Sequence, residues 1–178
     1  MTSPTLLGVS GALRQGSTNS MLVREAARLF EPGAFVFADI RMPLYDGDLE
    51  AETGLPPEAQ RLCDQILAAD AIVISTPEYN ANLPGVLKNA LDWISRSKPA
   101  PMAGKPVAIL SAAAGRAGGV RGQFSLRHCL TPFRPRVIQG MEVAIAGSGQ
   151  AFDDAGRLRD DTGIALLQAL MDELKSMV

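Results

Sequence analysis

Short apolar runs that each open into a loop of small residues and then a helix constrain this chain more than any other feature. Thr5–Val9 reads as a short buried strand, and Ala71-Ile72-Val73-Ile74-Ser75 is continuously apolar. The second pattern belongs to a strand covered on both faces of a parallel sheet. Further strands are expected at Ala34–Ala38, Val107–Ser111 and Arg136–Val143. Helices are expected at Ser20–Phe30, Pro57–Ala68, Pro84–Ser95, Val120–Leu130 and Thr162–Met177. This alternation argues for an α/β domain, a doubly wound parallel sheet with helices on both faces. In the last helix Ile164, Leu167, Leu170, Met171 and Leu174 recur at helical spacing and are read as core. Met42–Leu55, containing Asp46-Gly47-Asp48, reads as a loop, and Gly147–Gly156 as a second, mobile one.

The first strand leads into Ser10-Gly11-Ala12-Leu13-Arg14-Gln15-Gly16-Ser17-Thr18-Asn19. A loop entering a helix N-terminus offers free backbone N–H groups and the positive end of the helix dipole to an anion. Ser10, Ser17 and Thr18 add hydroxyl donors, and Arg14 a charge-assisted one. Gly11 and Gly16 have the Walker A spacing, but Ser17 stands where that motif needs lysine, which argues against a nucleoside triphosphate. The Gly-x-Gly-x-x-Gly dinucleotide fingerprint is also absent. A terminal phosphomonoester fits better. The plainer alternative is a Gly/Ser-rich turn that only caps the helix.

The second strand-to-helix loop is Thr76-Pro77-Glu78-Tyr79-Asn80-Ala81-Asn82-Leu83-Pro84-Gly85, and the helix after it reads Val86-Leu87-Lys88-Asn89-Ala90-Leu91-Asp92-Trp93-Ile94. Pro84 suits its first turn. The first loop, the Pro-Glu-Tyr-Asn segment, and the run Pro-Gly-x-Leu-Lys-Asn-Ala-Leu-Asp-Trp together resemble the NADPH-dependent FMN reductase family. The resemblance spans essentially the whole chain. It implies one flavodoxin-like domain over 1–178, with a five-stranded sheet in the order 2-1-3-4-5, and an enzyme related to quinone and chromate reductases. It also implies FMN as cofactor, NADPH or NADH as reductant, a small-molecule electron acceptor, and a homodimer or homotetramer. The expected interface lies near Pro84–Ser95, where Leu87, Leu91, Trp93 and Ile94 offer more apolar surface than one sheet face needs.

A third loop follows the fourth strand: Ser111-Ala112-Ala113-Ala114-Gly115-Arg116-Ala117-Gly118-Gly119. Its small residues let a flat ligand approach the backbone closely. In a sheet of that order the loops after strands one, three and four converge at the switch point. Carried over residue by residue, the resemblance assigns Ser10, Arg14, Ser17 and Asn19, with Thr18, to the FMN phosphate. Pro77, Glu78, Tyr79 and Asn80 would lie along the isoalloxazine, largely through backbone groups. Ser111, Ala113, Ala114 and Gly115 would lie beside the ring's pyrimidine edge. Ala12 departs from the serine usual in the family, which removes one hydroxyl. Glu78 is expected to be a solvated carboxylate rather than a catalytic acid, and no protein residue is assigned a catalytic role. Hydride would pass from nicotinamide to flavin in ping-pong turnover. Arg116 and Arg121 are open to a 2′-phosphate or to solvent.

Composition sets the outer limits. The chain has 178 residues, enough for one α/β domain with a full core. A net charge of −2 provides no basic excess for a general nucleic-acid binder. It also differs from the strongly acidic surface typical of a flavodoxin-type electron carrier, the main alternative function. Met1–Val9 lacks the basic and apolar regions of a secretory leader, so a cytoplasmic protein is expected. Cys63 and Cys129 match no metal or redox spacing and are read as helix-borne, buried or half-buried thiols. His128 is the lone histidine, expected in the same helix as Cys129, which leaves no support for a zinc site.

Overall fold

The computed structural model describes residues 3–178, so the part of the leader reading that falls on residues 1 and 2 lies outside it. The strands are β1 (Thr5–Ser10), β2 (Ala34–Phe37), β3 (Ala71–Ser75), β4 (Pro106–Ala112), β5 (Arg136–Val137) and β6 (Val143–Ile145). The helices are α1 (Thr18–Phe30), α2 (Gly47–Thr53), α3 (Pro57–Ala68), α4 (Gly85–Ile94), α5 (Val120–Leu130) and α6 (Asp161–Ser176). A single 3-10 turn, Thr131–Phe133, follows α5. All pairings are parallel, in the order β2-β1-β3-β4-β5, with β6 also on β4.

Side chains alternate across the central strands, as the two-residue period of a strand requires. Leu7, Val9, Ile72, Ile74, Val107 and Ile109 join one core with α3, α4 and α5. Leu6, Ala71, Val73, Ala108 and Leu110 join the other with α1 and α6. Apolar residues on both faces explain why β3 reads as a continuous apolar run. Cys63 is buried in α3, and Cys129 is half-buried in α5 beside His128. Among the described residues no helix is long and apolar enough to cross a membrane, and no metal-binding cluster of side chains occurs.

Three expectations need correction. The sheet has six strands, because the segment expected as one strand, Arg136–Val143, pairs with β4 in two pieces. Val137 lies opposite Val107 and Val143 opposite Leu110, so the chain makes an excursion between them, through Gly140 at φ 83°. The region Met42–Leu55 contains helix α2, started by Asp46, whose side chain accepts the Asp48 N–H. Burying no residue, α2 has no apolar stripe to announce it. The third correction concerns α4. Leu87, Leu91, Trp93 and Ile94 are all buried within the chain itself. Trp93 donates its indole N–H to Pro43 O at 2.8 Å and stacks edge-on against Tyr45. These four residues are core and not spare surface.

The segment Gly147–Gly156 is irregular but hydrogen-bonded. Asp153 exchanges backbone bonds with Arg157 and Gly156, and Phe152 bridges to Leu158. Arg157 then reaches Glu25 of α1 at 3.3 Å. Burial would raise the Glu25 carboxyl pKa, but bonds and charge from Arg28 and Arg157 outweigh it and hold the carboxyl below the usual carboxylate range.

Candidate functional site at the carboxyl ends of the central strands

The three expected loops leave neighbouring strand ends, which the parallel registers place together. Gly11 N–H donates to Ser75 O and Thr76 N–H to Leu110 O, extending the ladder beyond the strands. Gly11 admits no larger residue comfortably: a Cβ there would stand 3.2 Å from Leu87 and Pro77.

Around the first loop, the polar side chains divide into two groups. Ser10 is buried and its Oγ accepts from the Ser20 hydroxyl at 2.9 Å. Ser17 is buried and N-caps α1, accepting from the Asn19 N–H. Asn19 is buried, with its amide bonded to the ends of β3 and β4. Arg14, by contrast, is exposed, donating to Gly16 O at 3.2 Å. Thr18, half-buried, opens the helix. Among the described residues, the backbone N–H groups from Leu13 to Thr18 have no hydrogen-bond partner. Consecutive free N–H groups at a helix N-terminus form an anion-binding concavity. At Ala12, where a hydroxyl is missing, the N–H lies 3.4 Å from Ser10 Oγ.

The loop after β3 is built differently. Pro77 is buried, while Tyr79 and Asn80 are exposed. Tyr79 and Asn82 exchange both backbone bonds, at 2.9 and 3.1 Å. Between them Asn80 and Ala81 stand at φ 52° and 63°, so the turn has positive φ at both central residues. Such a turn favours Asn-Gly, and alanine there carries backbone strain. The Asn82 side-chain carbonyl accepts from the Ser125 hydroxyl and from the Leu83 N–H. Glu78 is not the solvated carboxylate expected of it. It pairs with the Arg121 guanidinium at 3.3 Å and accepts the Arg121 N–H at 3.2 Å, tying this loop to the start of α5. Arg121 is therefore engaged, and Arg116 is exposed.

The loop after β4 is a wall of backbone. Ser111 is fully buried, donates to Gly118 O at 2.7 Å and accepts from the Gln123 amide at 2.8 Å. Ala113 exchanges bonds with Ile145 O and Ser148 N–H, leaving Ala114 and Gly115 exposed with unpaired N–H groups among the described residues. The indispensable glycines are downstream of Gly115. At Gly118, φ 60°, a Cβ would lie 2.5 Å from Ala144 O; at Gly122 it would lie 2.8 Å from Pro77 O. Around Gly115 a Cβ would meet nothing within 4 Å. Gln123 was not foreseen. It is buried in α5, its amide donates to Ser111 and Val143 O, and its Oε1 has no partner among the described residues. No motif marks it, because its importance depends on where α5 packs.

The site thus offers an end with free backbone N–H groups, a strained exposed turn and a stretch of exposed backbone, with no metal cluster among the described residues. The family model described as NADPH-dependent FMN reductase matches residues 4–150. The chain is 46% identical over 175 residues to an NAD(P)H-dependent FMN reductase of Pseudomonas aeruginosa, covering 97% of this chain and 94% of the relative. It is 46% identical over 169 residues to a quinone reductase of Escherichia coli, covering 92% and 86%. Among solved structures, the flavoenzyme NAD(P)H:(acceptor) oxidoreductase FerB of Paracoccus denitrificans superposes with a TM-score of 0.87 at 30% identity, covering 97% of this chain and 96% of that one.

Proposed function

The chain belongs to the NADPH-dependent FMN reductase family, a family of oxidoreductases, and on that premise we propose how its three loops serve the reaction. The reading is that FMN spans the loops and that NADPH and a small-molecule acceptor occupy the same open face in turn. The observation that carries it is the run of unpartnered N–H groups from Leu13 to Thr18 at the positive end of α1, beside exposed Arg14. A dianionic phosphate answers that donor set, and a neutral ligand does not.

Bound FMN supplies the hydride chemistry; the protein supplies binding and orientation. The first loop would hold the phosphate through its backbone and Arg14. Ser10, Ser17 and Asn19 would hold the loop's shape, since their side chains are already bonded within the protein. Tyr79 and Asn80 would lie along the ring, with Pro77 and the Glu78–Arg121 pair fixing the turn that carries them. The free N–H groups of Ala114 and Gly115 would donate to the ring's pyrimidine edge, where negative charge grows on reduction. Arg116 is the arginine left to meet a 2′-phosphate of NADPH.

An open site suits flat acceptors of several kinds. A quinone is the favoured one, given the relatives' names; free flavins, azo compounds and oxyanions such as chromate fall within the same proposal. A homo-oligomer is retained as part of it. With the large apolar side chains of α4 buried, exposed Leu44, Tyr79 and Phe124 are among the apolar side chains available to a partner subunit. Initial rates measured while NADPH and a quinone are both varied test the shared face. Parallel double-reciprocal lines are expected, whereas intersecting lines would overturn ping-pong turnover.

A further inference from the structure

The geometry points to Asn19 as a positioning residue that sets the relative placement of all three loops, acting without touching the ligand. The inference rests on the reading of these loops as the FMN site. Asn19 sits in the first turn of α1, directly after the first loop, and is 3% exposed. Its side-chain amide donates to Ala112 O at 2.8 Å, and its carbonyl accepts the Ala112 N–H at 3.0 Å. One primary amide therefore meets both polar groups of the last β4 residue, as a neighbouring strand would. The same carbonyl accepts the Ser75 hydroxyl at 2.8 Å, at the last residue of β3. Asn19 N–H completes the set by donating to Ser17 Oγ within the first loop.

Each of these bonds ends where a site loop begins. Ser75 precedes the Thr76–Pro84 loop, and Ala112 precedes Ala113, Ala114 and Gly115. β1 cannot supply this junction itself, because β3 lies between it and β4. Asn19 needs both halves of its amide here: an aspartate would set a carboxylate oxygen against Ala112 O, and an alanine would leave three buried groups unsatisfied. Its carbonyl and one of its two amide N–H groups are committed to the strand ends, and the side chain is buried, which leaves a single N–H not engaged there.

The test is to titrate wild type and Asn19→Ala with FMN and with riboflavin, alongside thermal unfolding. Riboflavin lacks the phosphate but keeps the ring. If Asn19 positions all three loops, both affinities fall by a similar factor, about tenfold. Loss confined to FMN would make Asn19 a direct phosphate ligand and overturn the inference. A lower Tm with both affinities unchanged would reduce Asn19 to a structural role, and also overturn it. If Asn19→Ala does not fold, Ser75→Ala decides, since it removes one of the three bonds: a smaller parallel loss supports the inference and unchanged affinities contradict it. Wild type that binds neither flavin would overturn the FMN reading itself, which is distinct from wild type that binds both and is joined by a variant that does the same.

Discussion

The loop after β1 and the loop after β4 reach the same end of the sheet but spend their polar groups in opposite ways. From Leu13 to Thr18 the first leaves its backbone N–H groups open, and its cation is exposed. The second turns inward at both ends: Ser111 bonds to Gly118, Gln123 to Ser111, and Ala113 to Ile145 and Ser148, so that only the short run from Ala114 to Ala117 faces outward. Their glycines differ in the same sense. A Cβ at Gly16 would meet nothing within 4 Å, whereas at Gly118 it would collide with Ala144 O at 2.5 Å. On the proposed reading, the loop that would meet a charged group keeps its donors free, and the loop that would lie beside the ring is locked from behind.

The largest way to break that contrast is Gly118→Ala. Positive φ and the collision together should cost about 2–4 kcal/mol of stability, measured by denaturant unfolding. The same replacement at Gly115, in open space, should change stability by less than about 0.5 kcal/mol. Equal effects at the two positions would erase the locked wall. Next in size is Arg14→Ala. It should weaken FMN by about 1.5–3 kcal/mol while leaving riboflavin affinity and Tm nearly unchanged, because the proposed phosphate contact is lost while the exposed side chain makes only local bonds to Gln15 O and Gly16 O. The smallest effect sharpens the picture at the turn after β3. Ala81→Gly relieves a left-handed alanine at the cost of some chain entropy, so stability should rise by about 0.5–1 kcal/mol. A fall would mean the turn carries no strain.

Sequence reading went furthest where burial and periodicity agree. β3 at Ala71–Ser75 and α5 at Val120–Leu130 were legible residue for residue, because an apolar run or a Gly-rich stop bounds them. Helix α2 was not, since Gly47–Thr53 packs no apolar face. The two-piece pairing of 136–145 depends on an excursion at Gly140 that no strand pattern encodes. Trp93 is covered by the 43–45 segment and Leu87, Leu91 and Ile94 join the core on the α3 side of the sheet, packing that the apolar residues of α4 do not announce by themselves. At the site, the loops were legible as segments but the division of labour inside them was not. Asn19 carries the same polar groups as any ligand-reading residue, and only the positions of Ala112 and Ser75 reveal that its amide donates to Ala112 while its carbonyl accepts from Ala112 and Ser75.

The claim that this site passes electrons from a nicotinamide through FMN is tested most directly by one anaerobic experiment. FMN-loaded protein is mixed with NADPH in a stopped-flow instrument, and the flavin absorbance is followed before and after a quinone is added. The account predicts bleaching well within a minute and recovery of the oxidised spectrum with one quinone consumed per flavin, a two-electron return. A flavin that neither NADPH nor NADH bleaches within minutes would contradict it and leave an electron carrier in its place.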